Sequence, residues 1–160
     1  MGALQLSDNI YFCNMGRRPR IDRVRMKPWL KAIASHYRKN IDNLNYTFCT
    51  DEELLEINIH YLKHNYYTDI ITFELSDTKS VIEGDIYISI DRVKDNAKTN
   101  NCIFEVELRR VIAHGLLHLI GFKDKTKKEI KEMREAEDLA LMLWDTIQVS
   151  RETDSESQHN

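Results

Sequence analysis

The sequence lacks the long apolar run, the paired cysteines and the excess of positive charge that would each point to a particular class of protein. In 160 residues, no stretch approaches the roughly 18 consecutive apolar residues that a membrane span requires. The three cysteines are widely spaced and form no C-x-x-C pair, which argues against a thiolate zinc site. The net charge of −3 argues against indiscriminate binding of nucleic acid.

The N-terminus also lacks a basic stretch followed by an apolar run, so we expect no secretory signal. Cys13, Cys49 and Cys102 are then expected to be reduced thiols, in or near the core of a cytoplasmic protein. Charge is nevertheless uneven along the chain. A cationic cluster near the N-terminus either holds phosphates or is a solvated loop and helix start. Its members are Arg17, Arg18, Arg20, Arg23, Arg25 and Lys27.

The length suits a single domain with a real core, and a content of 42% hydrophobic and 31% charged residues is ordinary for a globular protein. We place this domain at residues 1–149. The remaining residues, 150–160, read SRETDSESQHN and contain no apolar side chain. We expect this tail to be disordered, because it has nothing to bury.

Hydrophobic periodicity alternates between strand and helix along the domain. Strands are predicted around residues 10–13, 44–48, 69–75 and 84–90. Helices are predicted after Pro28, after a capping box of Thr50 and Glu53, from Asp91 as N-cap toward Ala97, across residues 103–120, and after a capping box of Thr126 and Glu129. The pattern predicts an α+β domain with a small mixed sheet of about four strands packed by helices. The most apolar helix, at 103–120, is expected to be central and buried.

Two histidines on this buried helix carry the chemistry. His114 and His118 are four residues apart, which places both imidazoles on one helix face, one turn apart. Gly121 ends the helix three residues later, because glycine accepts the left-handed conformation. The chain can then turn back and bring Asp124 to the same point. The sequence therefore predicts a metal site with His114, His118 and Asp124 as ligands.

Three protein ligands leave one position of a tetrahedral site open, which is typical of catalytic rather than structural zinc. A divalent ion there would lower the pKa of a water toward about 7 and polarise a phosphoryl or carbonyl oxygen. Nitrogen-rich ligation favours Zn²⁺, while nickel, cobalt, copper, iron or manganese are chemically acceptable. The alternative is a pair of hydrogen-bonded core histidines, which would need partners for four buried ring nitrogens.

A second H-x-x-x-H pair shows why context matters. His60 and His64 have the same spacing but lie at a helix end in a polar and aromatic segment, and we do not expect them to bind metal. Metzincin proteases also share the spacing of the buried pair, as H-E-x-x-H-x-x-G-x-x-H, with Glu as the general base. Here Gly115 stands in the place of that Glu, which argues against proteolysis.

Four segments in order resemble the YbeY family of bacterial endoribonucleases and rRNA maturation factors. HGLLHLIGFKD, at 114–124, is similar to the family's H-G-x-L-H-L-x-G-Y-D-H. TDIITF, at 68–73, resembles T-D-V-L-S-F, and GDIYIS, at 84–89, resembles G-D-I-x-I-S. Met133 and Glu137 fit M-x-x-x-E of the final helix. The resemblance runs from about Asp51 to Trp144.

The resemblance implies an α+β fold, a zinc site of the three residues named, and cleavage of single-stranded RNA by metal-assisted phosphodiester hydrolysis. It also implies a role in 16S rRNA 3′-end maturation and ribosome quality control, with the small ribosomal subunit as partner. Two positions depart from the family. Asp124 replaces its third histidine ligand, and Leu62 replaces an arginine assigned to phosphate, for which Lys63 is a possible substitute without the bidentate geometry. We therefore assign no catalytic side chain beyond the ligands.

Two further questions stay open at the level of sequence. Arg109 and Arg110, about one turn before the first histidine, either line the groove or are solvated. The protein is either an enzyme or a non-enzymatic assembly factor that binds the small subunit or its RNA and holds a structural metal. A fourth protein ligand would indicate the structural ion.

Overall fold

In a computed structural model, residues 9–149 are described, and they form five helices and one four-stranded mixed sheet. This confirms the predicted α+β class. The elements in chain order are β1 (Ile10–Asn14), α1 (Arg23–His36), β2 (Asn40–Cys49), α2 (Asp51–Leu62), β3 (Ile70–Glu74), β4 (Val81–Ser89), α3 (Ile90–Thr99), α4 (Phe104–Ile120) and α5 (Lys127–Trp144).

The segment 1–8, where we predicted no signal, and the predicted disordered tail at 150–160 lie outside the described residues. The domain boundary at residue 149 therefore stays a prediction. Within residues 9–149, each helix is too short or too polar to traverse a lipid bilayer.

The sheet has the strand order β1-β2-β4-β3, with β1, β2 and β4 parallel and β3 antiparallel to β4. Apolar and polar residues alternate along β2 and β4, and this gives each strand one apolar face because successive side chains of a strand point to opposite sides. On that face Tyr46 pairs with Ile86 and Phe48 with Ile88, and all four are fully buried. The Tyr46 hydroxyl donates to the carbonyl of Ile112 at 2.8 Å, which ties the sheet to α4.

Helix α4 lies against this face, as predicted for a helix apolar on most sides. Gly115 makes the close approach possible. A Cβ there would lie 2.9 Å from Ile70 Cδ1 and 3.0 Å from atoms of Ile86, closer than side chains pack without displacement. Gly115 thus faces the sheet, which leaves the His114 and His118 side of α4 to face outward toward α5.

Two predicted helix starts are wrong. Asp91 does not cap α3, because the helix begins directly after β4 and Ser89 is the N-cap, accepting from the Arg92 amide at 3.1 Å. Helix α1 begins at Arg23 rather than after Pro28, which lies inside the helix. The Asp22 side chain is its N-cap and accepts from the Arg25 amide at 3.1 Å. Both capping boxes, by contrast, are present as predicted, at Thr50 and Thr126.

Helix α5 is fixed against α1 at its C-terminal end. The Trp29 indole donates to the carbonyl of Ala140 at 2.7 Å, and its ring meets that of Trp144 edge to face with centroids 5.2 Å apart. Met133 and Ala136, which lie nearer the N-terminal end of α5, are buried against the core. This packing fixes the face of α5 that looks toward the histidines of α4.

Candidate metal centre

The two histidines of α4 form one face of a partly open site. Their ring centroids are 4.5 Å apart with an interplanar angle of 85°, as expected for imidazoles one helical turn apart. The side chains of His114 and His118 retain 20% and 25% of their exposure. They are thus neither solvated surface residues nor sealed core residues.

Gly121 turns the chain back toward these histidines. Its φ of +130° lies in the region that only glycine adopts without strain, and no atom would obstruct a Cβ there, so the requirement is conformational. The Phe122 amide then donates to the Leu117 carbonyl at 3.0 Å, which closes the helix end. Because α5 starts just beyond, capped by Thr126, Asp124 is held in a short connection between two fixed helix termini.

The turn brings Asp124 to the histidines, as the spacing predicted. Asp124 Oδ2 lies 3.3 Å from His114 Nε2 and 3.2 Å from His118 Nε2. The three ligand atoms lie within 4.8 Å of one another, so the group could hold a metal ion. Among residues 9–149, no fourth His, Cys, Asp or Glu side chain belongs to this group.

The opposite ring nitrogens are held by acceptors. His114 Nδ1 lies 2.6 Å from Glu137 Oε2, and His118 Nδ1 lies 3.0 Å from the carbonyl oxygen of Phe122. A carboxylate and a carbonyl only accept, so both Nδ1 atoms carry the hydrogen. With a metal bound, each Nε2 would offer its lone pair to the ion, in the tautomer and orientation that metal-binding histidines adopt; without one, a proton on Nε2 can be donated to Asp124 instead. The donor set therefore fits a divalent transition metal.

Glu137 on α5 is itself held in place. It is 6% exposed, and its Oε1 accepts from Arg110 Nη1 at 2.9 Å, while Arg110 Nη2 donates to Asp138 at 2.8 Å. Burial opposes the charge on Glu137, but the hydrogen bonds from His114 and Arg110 outweigh it and lower its pKa. Burial likewise opposes protonation of His114, yet Glu137, with Asp124 and Asp69 nearby, raises its pKa in the absence of metal.

The sequence assigned neither Glu137 nor Arg110 to the site. A signal was present for Glu137, because it shares the apolar face of α5 with Met133, Ala140 and Trp144, and a buried carboxylate needs partners. Arg110 fits neither alternative left open by the sequence, because it pairs with Glu137 and Asp138 and does not line the cleft beside the histidines. Arg109 instead stacks on the ring of Trp144 at 4.6 Å.

The site opens into a cleft of about 530 Å³ between α4 and α5. His114 and Asp124 stand at one wall, and residues of α5 from Lys127 to Glu137 form the other. Lys63, the proposed substitute for the family's arginine, is exposed at the C-terminal end of α2 and does not line this cleft. Its role stays a prediction.

Other sequence candidates lie elsewhere. His60 pairs with Glu56 at 3.5 Å and is 70% exposed, and His64 contacts the Tyr66 hydroxyl at 3.0 Å. Part of the N-terminal cationic cluster has structural contacts, because Arg17 pairs with Asp91 at 2.8 Å and Arg25 stacks on Trp144 at 4.6 Å. The three cysteines are free thiols, of which Cys49 is buried and Cys13 is exposed.

Comparison with known proteins agrees with the resemblance read from the motifs. The family model described as Endoribonuclease YbeY matches residues 14–144. A protein of Cytophaga hutchinsonii named Endoribonuclease YbeY is 55% identical over 121 residues, which cover 76% of this chain and 85% of the relative. The protein of that name from Porphyromonas gingivalis is 47% identical over 130 residues, covering 81% of this chain and 85% of its own.

A solution structure of a Thermotoga maritima protein is also similar, with a TM-score of 0.62 and 25% identity over 94% of this chain and 95% of that one. The match to the family model, over residues 14–144, also includes α1 and β2, which lie upstream of the motifs quoted from the sequence. On the extent of the matched residues and the identity to the curated relatives, the chain belongs to the Endoribonuclease YbeY family.

Proposed function

We propose that this protein is a metal-dependent endoribonuclease that hydrolyses phosphodiester bonds in single-stranded RNA, with His114, His118 and Asp124 as metal ligands. The observation that carries the proposal is the convergence of two Nε2 atoms and one carboxylate oxygen within 4.8 Å. The relatives are named endoribonucleases, which supports RNA as the substrate class. Within residues 9–149, three rather than four side chains make up the group, which favours a catalytic ion over a structural one.

Zinc is the metal that the donor set favours, because two imidazoles and one carboxylate match known catalytic zinc sites. The carboxylate makes the set harder than three histidines would, so manganese and iron are alternatives to be tested. When bound, a divalent ion supplies Lewis acidity toward a phosphoryl oxygen and acidifies a water. Glu137 and the Phe122 carbonyl keep the Nδ1 protons of the two histidines in place, so that Nε2 is the nitrogen of each ring that would bind the ion.

The cleft beside the ligands limits the form of RNA that can react. A phosphodiester must come close to His114 and Asp124, which line an open cleft beside α5. An unstacked single strand can enter such a cleft, whereas a regular RNA helix presents its backbone on a wide, stiff cylinder. In the cell, we propose that the substrate is the 3′ end of 16S rRNA in the cytoplasm, with the small ribosomal subunit as partner and ribosome quality control as the wider role.

The two alternatives from the sequence receive less support. A structural metal in an assembly factor would be expected to have a fourth protein ligand, and the group has three. A metalloprotease would need a general base next to His114. Gly115 packs against Ile70 and Ile86, and both oxygens of Glu137 are engaged, by His114 and Arg110.

The direct test combines metal analysis with RNA cleavage. We expect protein purified without added metal to contain about one divalent transition metal per chain and to cut single-stranded RNA faster than duplex RNA. His114→Ala should lose both the metal and the cleavage, because two ligands remain. His60→Ala, at an exposed histidine, is the matched control. Cleavage retained by a folded His114→Ala variant would contradict the proposal, as would cleavage of unfolded casein in place of RNA.

A further inference from the structure

One face of α5 carries a row of three cationic side chains along the cleft. Lys127, Lys131 and Arg134 all line the same recess as His114 and Asp124, and all three are exposed. Their spacing of four and then three residues places them on one side of the helix. With a rise of 1.5 Å per residue, the row extends for about 10 Å along α5.

These cations are available to a ligand. Within residues 9–149, neither Lys127 nor Lys131 takes part in an ion pair, and Arg134 has only a 3.9 Å approach to Glu137. The carboxylates around them are largely engaged. Glu137 is bound by His114 and Arg110, and Asp124 contacts both histidines. Glu135 is the remaining acidic residue in the lining of the cleft.

The row and the ligand group therefore face one substrate path. Positive side chains in line along a groove are the arrangement that follows a phosphate backbone, and they act independently of base sequence. A metal bound by His114, His118 and Asp124 would offset the charge of Asp124, which leaves the recess positive overall. The cationic row would then hold the strand while the scissile phosphate lies near the ligands.

We propose that Lys127, Lys131 and Arg134 bind consecutive backbone phosphates of the single-stranded RNA, and that they fix its path along α5 to the metal ligands. This inference rests on the proposed function, since it names how the same site takes up its RNA. The three residues are binding residues, and none of them is placed at the reacting atoms.

The test measures RNA affinity as a function of salt. The probe is a fluorescein-labelled 2′-O-methyl oligouridine of about 12 nucleotides, within the range of single-strand binding sites; it keeps the phosphate backbone while the metal stays bound, and gel analysis after each titration checks that it is intact. Variants are Lys127→Gln, Lys131→Gln and Arg134→Gln, alone and combined. Lys128→Gln is the matched control, because Lys128 is exposed on the same helix, next to Lys127, but does not line the cleft.

We expect each single variant to bind about five-fold more weakly, the size of one exposed charge interaction. Between about 50 and 200 mM salt, the slope of log affinity against log salt should fall by about 0.7 for each phosphate that the protein no longer binds, and by about 2 in the triple variant. Lys128→Gln should match the wild type. In cleavage assays with metal, the substitutions should raise KM more than they lower kcat, because they remove binding shared by ground and transition states.

The outcomes separate this inference from the proposed function. If wild type binds and cleaves RNA but the triple variant keeps the affinity and salt slope of Lys128→Gln, the proposed RNA binding by the cationic row is wrong. The proposed endoribonuclease activity is then still supported. If wild type neither binds nor cleaves single-stranded RNA, both are wrong. Far-UV circular dichroism of the triple variant checks that it is folded, and the three single variants give the same slope test with less change to the surface.

Discussion

The chain contains the same H-x-x-x-H spacing twice, and the two pairs have different surroundings. His114 and His118 both lie within α4, on a helix that continues through them to Ile120. Helix α2 ends at Leu62, so His60 lies in its last turn while His64 lies beyond it. Between them Lys63 adopts a left-handed conformation with φ of 60°, which moves His64 off the helix face. Two residues four apart in the sequence lie on the same helix face only where the helix continues through both of them.

The two pairs also differ in what holds their rings. Each ring of the α4 pair has its Nδ1 fixed by an acceptor, Glu137 or the Phe122 carbonyl, so each Nε2 has a defined direction. Among residues 9–149, His60 makes an exposed contact with Glu56, and His64 contacts Tyr66. A pair of histidines becomes a candidate metal site when other residues orient it.

Loss of one ligand should have the largest effect. We expect His118→Ala to weaken zinc affinity by at least about 100-fold, since structural zinc affinity divided among its ligands corresponds to several kcal/mol each. The equivalent change at the other pair, His60→Ala, should leave affinity unchanged. Competition with a chromophoric chelator measures both. Equal loss in the two variants would mean that the pairs do not differ as described.

Removal of the acceptor behind His114 should have the next largest effect. Glu137→Gln keeps the shape of the side chain but removes the charge that accepts from His114 and Arg110. We expect zinc affinity to fall by about 10- to 100-fold, the usual effect of losing such a partner. Glu132→Gln, on the same helix but outside the metal cleft, is the control.

A spectroscopic readout distinguishes orientation from general destabilisation. In wild type with zinc, the ring nitrogens of His114 should report a proton on Nδ1 and the metal on Nε2 in ¹⁵N NMR spectra. In Glu137→Gln, the Nδ1 proton of His114 should exchange faster, while that of His118, held by the Phe122 carbonyl, stays as it is. An unchanged His114 spectrum with weakened zinc binding would contradict the orienting role.

The same contrast explains which parts of the site could be predicted from the sequence. His114, His118 and the turn at Gly121 follow from local rules, helix periodicity and glycine's access to positive φ, and these needed no tertiary contact. The role of Glu137 depends on α5 packing beside α4, 23 residues away in the chain. Periodicity places Glu137 on an apolar face but does not say which residue it meets there.

The fold shows the same division. Strand and helix positions followed from local patterns, as did the two capping boxes. The start of α3 did not, because Asp91 and Ser89 are both good N-cap residues. Tertiary contacts hold each in its role: Asp91 accepts from Arg17 and from the Asp51 amide, while the Ser89 hydroxyl donates to Asp51 and is thereby oriented to accept from the Arg92 amide. Where two neighbouring residues are equally good N-caps, contacts with residues distant in the sequence determine which of them caps the helix.

The smallest expected effect concerns the stability of the metal-free protein. Without metal, the contact between His114 and Glu137 is an ion pair whose contribution to the free energy of unfolding depends on pH. The raised pKa of His114 means that its contribution is complete below the ordinary value of 6.5 and is lost as pH rises through the raised one. The lowered pKa of Glu137 means that its contribution is complete above 4.5 and is lost as pH falls through the lowered one. Both contributions are therefore complete only between about 4.5 and 6.5.

In the presence of a chelator, urea unfolding of wild type and Glu137→Gln at several pH values should reveal this window. We expect the difference in unfolding free energy to be largest near pH 5.5 and to decrease by about 1.5–3 kcal/mol, the size of one hydrogen bond to a charged group, on moving well above or below it. Glu56→Gln, at an exposed carboxylate, is the control for the loss of one surface charge. A difference independent of pH would show that His114 and Glu137 are not coupled, and the contrast between the two histidine pairs would then rest on metal binding alone.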